Sequence, residues 1–187
     1  MKPKCLVFDA LLAAVALTLF IVELQIPAPV PIPGVKLGLA NIVTVMALFL
    51  LTPLDAFAIL CVRILLGSFF AGNFMALLYS AVGGALCFAV MLGMRKIVSA
   101  RQVWVCSVVG AIAHNVGQMA VALAVTQTKE LIVYLPVLLV SGILAGLFTG
   151  LAAQFLIDRT KPILPKLTGE TKHGTSEKMC ERHDAER

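Results

Sequence analysis

The sequence predicts an all-α integral membrane protein, a bundle of six transmembrane helices. Three observations predict it. Of the 187 residues, 60% are hydrophobic and only 13% charged, where a soluble domain carries about 25% charged residues. The charges are also segregated: residues 158–187 hold seven Lys/Arg and six Asp/Glu, which leaves eight basic and four acidic groups for residues 1–157. Finally, the apolar residues fall into runs close to the roughly 20 residues that cross a bilayer as a helix. The net charge of +5 reads as a determinant of membrane orientation. No basic stripe with interleaved aromatics is present, so nucleic acid is not an expected partner.

The first span covers about 6–24. "ELQIPAPVPIPG" follows it without a convincing cleavage site, so the segment reads as a retained helix, and Cys5 lies too early for a lipoprotein signal. The second span, about 37–52, is short. "TP" at Thr52–Pro53 separates it from the third, about 54–71, and predicts a tight hairpin. "FFAGN" at 69–73 makes the next turn, and spans four, five and six follow at about 74–94, 103–126 and 131–157. The polar, mixed-charge tail, 158–187, lacks apolar periodicity and is expected to be disordered. Its "CERH" and His173 make too weak a ligand set for a metal. The five cysteines are Cys5, Cys61, Cys87, Cys106 and Cys180; none forms a C-x-x-C pair, and three lie in apolar segments, so no disulfide framework is expected.

Positive charge in short loops marks the cytoplasmic side. Lys2 and Lys4 precede span one, Arg95, Lys96 and Arg101 separate spans four and five, and Arg159, Lys161 and Lys166 follow span six. An even number of spans places all three groups on one face, so both termini are expected in the cytoplasm. The other face has only Lys36 and Lys129, with Glu23 and Glu130 nearby.

Polar residues inside apolar spans are the candidate functional residues, because each is costly in lipid. Arg63 lies nine residues into span three, roughly 13 Å at the helical rise, where an arginine costs about 2.5–3.5 kcal/mol on insertion scales. It faces a ligand, or it bonds to carbonyls or to Asp55. In "AIAHNVGQMA", residues 111–120, His114, Asn115 and Gln118 fall within about 100° of helical arc. Ala111 and Ala122 share that arc and keep it small. Such a face meets either a neighbouring helix or a ligand. Lys36, Asn41, Tyr79 and other polar residues gather towards the opposite end from the basic loops, below the proline-rich loop 25–36, which is stiffened by its fixed φ angles. Gly142, Gly146 and Gly150 in "SGILAGLFTGL" form a small face for helix packing, and Ala10 and Ala14 repeat the spacing on span one.

Catalytic patterns are missing. There is no P-loop, no carboxylate pair placed for Mg²⁺ and diphosphate, and no assignable nucleophile set. The expectation is a non-enzyme without a cofactor or metal.

"PIPGVKLGLANIVTVMALFLL", "DAFAILCVRILLG", "YSAVGG", "GAIAHNVGQ" and "YLPVLLVSGILAGLFTG" resemble the Gx transporter family of small bacterial membrane proteins, commonly labelled heptaprenyl diphosphate synthase component I. The resemblance covers about residues 6–157 and excludes the tail. That family is similar in turn to the substrate-binding (S) components of energy-coupling factor (ECF) transporters. The resemblance implies a six-helix S-component-like bundle in the bacterial cytoplasmic membrane that captures a small molecule from outside. It implies a membrane coupling subunit and two ATPase subunits as partners. On S components an A-x-x-x-A on the first helix docks the coupling subunit, and Ala10 and Ala14 match it. The pocket of that group lies in the outer half, where Arg63, His114, Asn115, Gln118, Asn41, Lys36 and Tyr79 are the candidate substrate residues. The synthase label implies a second role, a non-catalytic membrane accessory of heptaprenyl diphosphate or menaquinone synthesis. Prenyl synthases use aspartate-rich motifs, and this chain has no two adjacent aspartates.

Overall fold

A computed structural model describes residues 3–26, 38–72, 74–98 and 102–163. Among these residues the chain is all-helical. Its helices are α1 (Pro3–Gln25), α2 (Leu39–Leu50), α3 (Pro53–Ala71), α4 (Phe74–Met94), α5 (Val103–Thr126) and α6 (Leu135–Thr160), with a 3-10 segment, Lys129–Tyr134, leading into α6. Five segments are long and apolar enough to cross a membrane: Leu6–Gln25, Pro53–Ala71, Phe74–Met94, Val103–Thr126 and Lys129–Thr160. The protein is therefore built as a multi-pass membrane protein. Lys36, most of the proline-rich loop, Arg101 and the tail from 164 lie outside the described residues.

Local chemistry sets the helix ends. Thr52 caps α3: its hydroxyl accepts the Asp55 N–H at 3.3 Å and donates to Asp55 Oδ2 at 2.6 Å, with Pro53 starting the helix. This is a side-chain N-cap, with proline where a missing N–H costs nothing. Gly72 ends α3 in the left-handed region, φ 61°, which glycine adopts without strain. Pro136 opens α6 in the same way as Pro53 opens α3. At the far end of that helix, Gln154 Oε1 accepts the Val103 N–H at 3.0 Å, satisfying a donor at the start of α5.

The helices form a closed ring in the order α1–α3–α4–α5–α6–α2, each packed on its two neighbours, and α2 also touches α3. Glycines set the closest approaches. A Cβ on Gly117 of α5 would stand 3.0 Å from the Cα of Gly83 on α4 and 3.2 Å from the Val82 carbonyl oxygen. A Cβ on Gly146 or Gly150 of α6 would stand 2.9 Å from the Cα of Val108 or 2.6 Å from the Cα of Trp104 on α5. The stripe Gly142, Gly146 and Gly150 thus faces α5 and lets two backbones meet.

The second segment differs most from a simple span. With 12 residues, α2 is about 18 Å long, well short of the roughly 30 Å hydrocarbon core. It is buried continuously from Ile42 to Leu48, so neighbouring helices, rather than lipid, surround it. Gly38, its N-cap at φ 73°, lies beside Thr149 near the middle of α6; a Cβ there would be 3.9 Å from the Thr149 methyl. The N-terminus of α2 therefore opens inside the bundle. The buried apolar core gathers around the rest of α2, from Leu12 and Ala16 of α1 to Met91, Cys106 and Ile157. This core fills the half of the bundle that contains the α2–α3 turn.

Candidate functional site

Beyond that core, towards the C-termini of α1, α3 and α5, the ring encloses a polar cavity. It measures about 90 Å³, counted as space open to the centres of water molecules. One such centre needs only about 10–15 Å³, so the space exceeds a single structural water and suits a small molecule. All six helices reach it: Phe20 and Glu23 from α1, Asn41 from α2, Arg63 from α3, Ser80 from α4, His114, Asn115 and Gln118 from α5, and Ser141 and Thr149 from α6. Gly38, Gly142 and Gly146 complete its walls with backbone.

Each polar wall has a local cause. Glu23 lies on the buried face of α1 with Leu12 and Ala16, and its Oε1 accepts the Gly38 N–H at 2.5 Å. A carboxylate at a helix N-terminus meets both an open donor and the positive end of the helix dipole. Arg63 is partly buried near the middle of α3. It lines the cavity together with Glu23 of α1 and Asn41 of α2. The bond expected as an alternative for Arg63, to Asp55, is not made among the described residues; Asp55 bonds Thr52 instead. Thr149 and Ser107 share a hydrogen bond at 3.1 Å, and Ser141 donates to the Leu138 carbonyl at 2.9 Å.

The polar face of α5 divides its work. Asn115 is buried and its Nδ2 donates to the Leu138 carbonyl oxygen at 2.6 Å, pinning α5 to the start of α6. Gly142 leaves the space for that amide. His114 and Gln118 pack against Gly83 of α4 while lining the cavity. Gln118 is 6% exposed, and its Oε1 has no hydrogen-bond partner among the described residues. An acceptor buried without a donor costs about 1–3 kcal/mol, which a ligand donor or water would offset. Two other orphaned groups, the carboxylate of Asp9 and the hydroxyl of Thr44, lie outside the cavity lining.

Five of the candidate substrate residues, Arg63, His114, Asn115, Gln118 and Asn41, come together around this cavity. Tyr79 does not line it; its neighbour Ser80 does, since one residue on a helix turns the side chain by about 100°. Lys36 lies outside the described residues. Sequence reasoning put Glu23 among the polar groups of the outer half without naming it a substrate residue, and missed Ser80, Ser141 and Thr149 as wall residues. For Glu23 a signal existed: Leu12, Ala16 and Glu23 repeat at heptad-like spacing and mark the inward face of α1.

Fold and cavity together define a multi-pass α-helical membrane protein with an internal polar chamber. The chain belongs to the family described as heptaprenyl diphosphate synthase component I, which it matches over residues 12–156. No curated protein and no solved structure matches it.

Proposed function

We propose that the protein is the substrate-capturing membrane subunit of an ATP-driven importer of the energy-coupling factor type. The observation that carries the reading is the cavity: all six helices contribute to it, and its buried polar groups include an unpartnered acceptor. Buried polar atoms in a membrane bundle are costly unless they meet a partner, and a captured molecule is one such partner. In this reading the chain binds and releases its substrate without transforming it, and needs no cofactor.

A second observation supports the partner side. Ala10 and Ala14 are both exposed on α1, so among the described residues their small face is not used in packing. It is available to a coupling subunit, which would connect the protein to two cytoplasmic ATPases. The basic groups Arg95, Lys96 and Arg159 favour a cytoplasmic location for the α4–α5 loop and the end of α6, by the positive-inside rule. The cavity then opens towards the exterior, in a bacterial cytoplasmic membrane. The test is co-expression with candidate coupling and ATPase subunits, followed by co-purification. Ala10→Leu with Ala14→Leu is expected to abolish the complex while the protein still inserts. Absence of a complex with every coupling subunit of the host, together with no effect of these substitutions on uptake, would reject the importer.

The family description favours one other reading, because "component I" names a part of a larger assembly. In that reading the chain is a non-catalytic membrane accessory to a soluble prenyl synthase. It predicts that deleting the α4–α5 loop charges and the tail releases the synthase from membranes. Unchanged synthase localisation and activity would reject it.

A further inference from the structure

The charges lining the cavity come from residues on two different helices. Among the described lining residues, Glu23 on α1 is the one carboxylate and Arg63 on α3 the one guanidinium. Both line the same cavity. Among the described residues no ion pair joins them, and Glu23 instead accepts the Gly38 N–H. Opposite charges in a low-dielectric site gain most by closing into a pair. Here they stand on different walls of one chamber, which is the arrangement that a bridging molecule completes.

The charge balance narrows what that molecule is. Glu23 and Arg63 carry opposite formal charges that cancel, so a ligand of net charge would bring an uncompensated charge into the bundle. The N-terminus of α2, a natural anion site, already has its Gly38 N–H occupied by Glu23. Arg63 is left as the group for a ligand anion. Gln118 presents a buried Oε1 without a partner among the described residues; that atom only accepts, so it calls for an N–H or O–H on the ligand.

We propose that the cavity binds a small amphoteric molecule, zwitterionic at neutral pH, with its anionic group on Arg63, its ammonium group on Glu23, and a further donor bonded to Gln118. This deepens the importer reading and rests on the cavity being the capture site. A simple anion, the ligand that Arg63 alone would suggest, is disfavoured because Glu23 faces the same space.

The test uses the full chain purified in detergent and thermal-shift titration with matched triplets of probes. Each triplet is a free amino acid, its N-acetyl derivative and its carboxamide, which present both charges, the anion alone and the cation alone. At least one free amino acid is expected to stabilise the protein, with both blocked forms at least tenfold weaker. Glu23→Gln is expected to reduce the penalty for the N-acetyl form, and Arg63→Gln to reduce it for the carboxamide. The wild-type preference decides the matter by itself if either variant fails to fold. Equal binding of the N-acetyl form and the free amino acid to the wild type would overturn the amphoteric ligand while leaving capture intact. No binding by any triplet to the folded protein would also overturn it. The importer reading is judged separately, by co-purification with the coupling subunit.

Discussion

Two polar side chains on one face of α5 do different jobs, and substitution should separate them. Asn115 is a structural pin: Asn115→Ala removes the bond to the Leu138 carbonyl and is expected to destabilise the bundle by about 1 kcal/mol, read as a lower unfolding midpoint in detergent. Gln118→Leu removes a buried acceptor that has no partner in the described structure. It should leave the unliganded protein as stable or more so and weaken capture, a split measured by comparing the unfolding midpoint with ligand affinity. Arg63→Ala should likewise cost capture more than folding, by at least tenfold in affinity, because Arg63 faces the cavity and is not paired to Asp55. Equal losses of stability and binding would make Arg63 a structural residue.

At the level of helices, the tightest constraint is the α4–α5 crossing. A side chain on Gly117 would meet the backbone of Gly83 and Val82, which cannot move aside as a side-chain tip can. Gly117→Val is expected to destabilise by about 1–3 kcal/mol, measured by thermal unfolding, and to disturb the cavity wall formed by His114 and Gln118. The exposed face of α1 behaves in the opposite way. Ala10→Leu falls on a surface left exposed among the described residues, so its effect on stability should stay within about 0.5 kcal/mol. Under the importer proposal, its effect should appear only in assembly with a coupling subunit. α2 shows how one element can create a site: being short, it ends inside the ring and leaves room for polar groups beyond its N-terminus.

For the whole molecule, the distribution of basic loops predicts which side faces the cytoplasm. Ile97 is 81% exposed in the α4–α5 connection. In an otherwise cysteine-free background, Ile97→Cys should react with a membrane-impermeant maleimide only after cells are permeabilised. Labelling in intact cells would invert the topology and turn the cavity towards the cytoplasm. The long spans were legible in the sequence because bilayer thickness selects apolar length, whatever the packing. Arg63 and the α5 triad were legible because a polar atom within an apolar run is anomalous in lipid. The inward turns of Ser80 in place of Tyr79, and of Ser141 and Thr149, were not. Those depend on how each helix rotates about its axis, and neighbouring helices set that rotation.

The sequence by itself determined an all-helical membrane protein, the boundaries of most helices and the polar residues that require a partner. Only the tertiary structure decided that α2 is wrapped by protein, since an apolar helix reads alike in a core and in lipid. It also decided that Glu23 and Arg63, forty residues apart along the chain, face one chamber. That pairing follows from the ring order of the helices, in which α1 packs directly on α3, and sequence periodicity carries no record of which helix becomes whose neighbour.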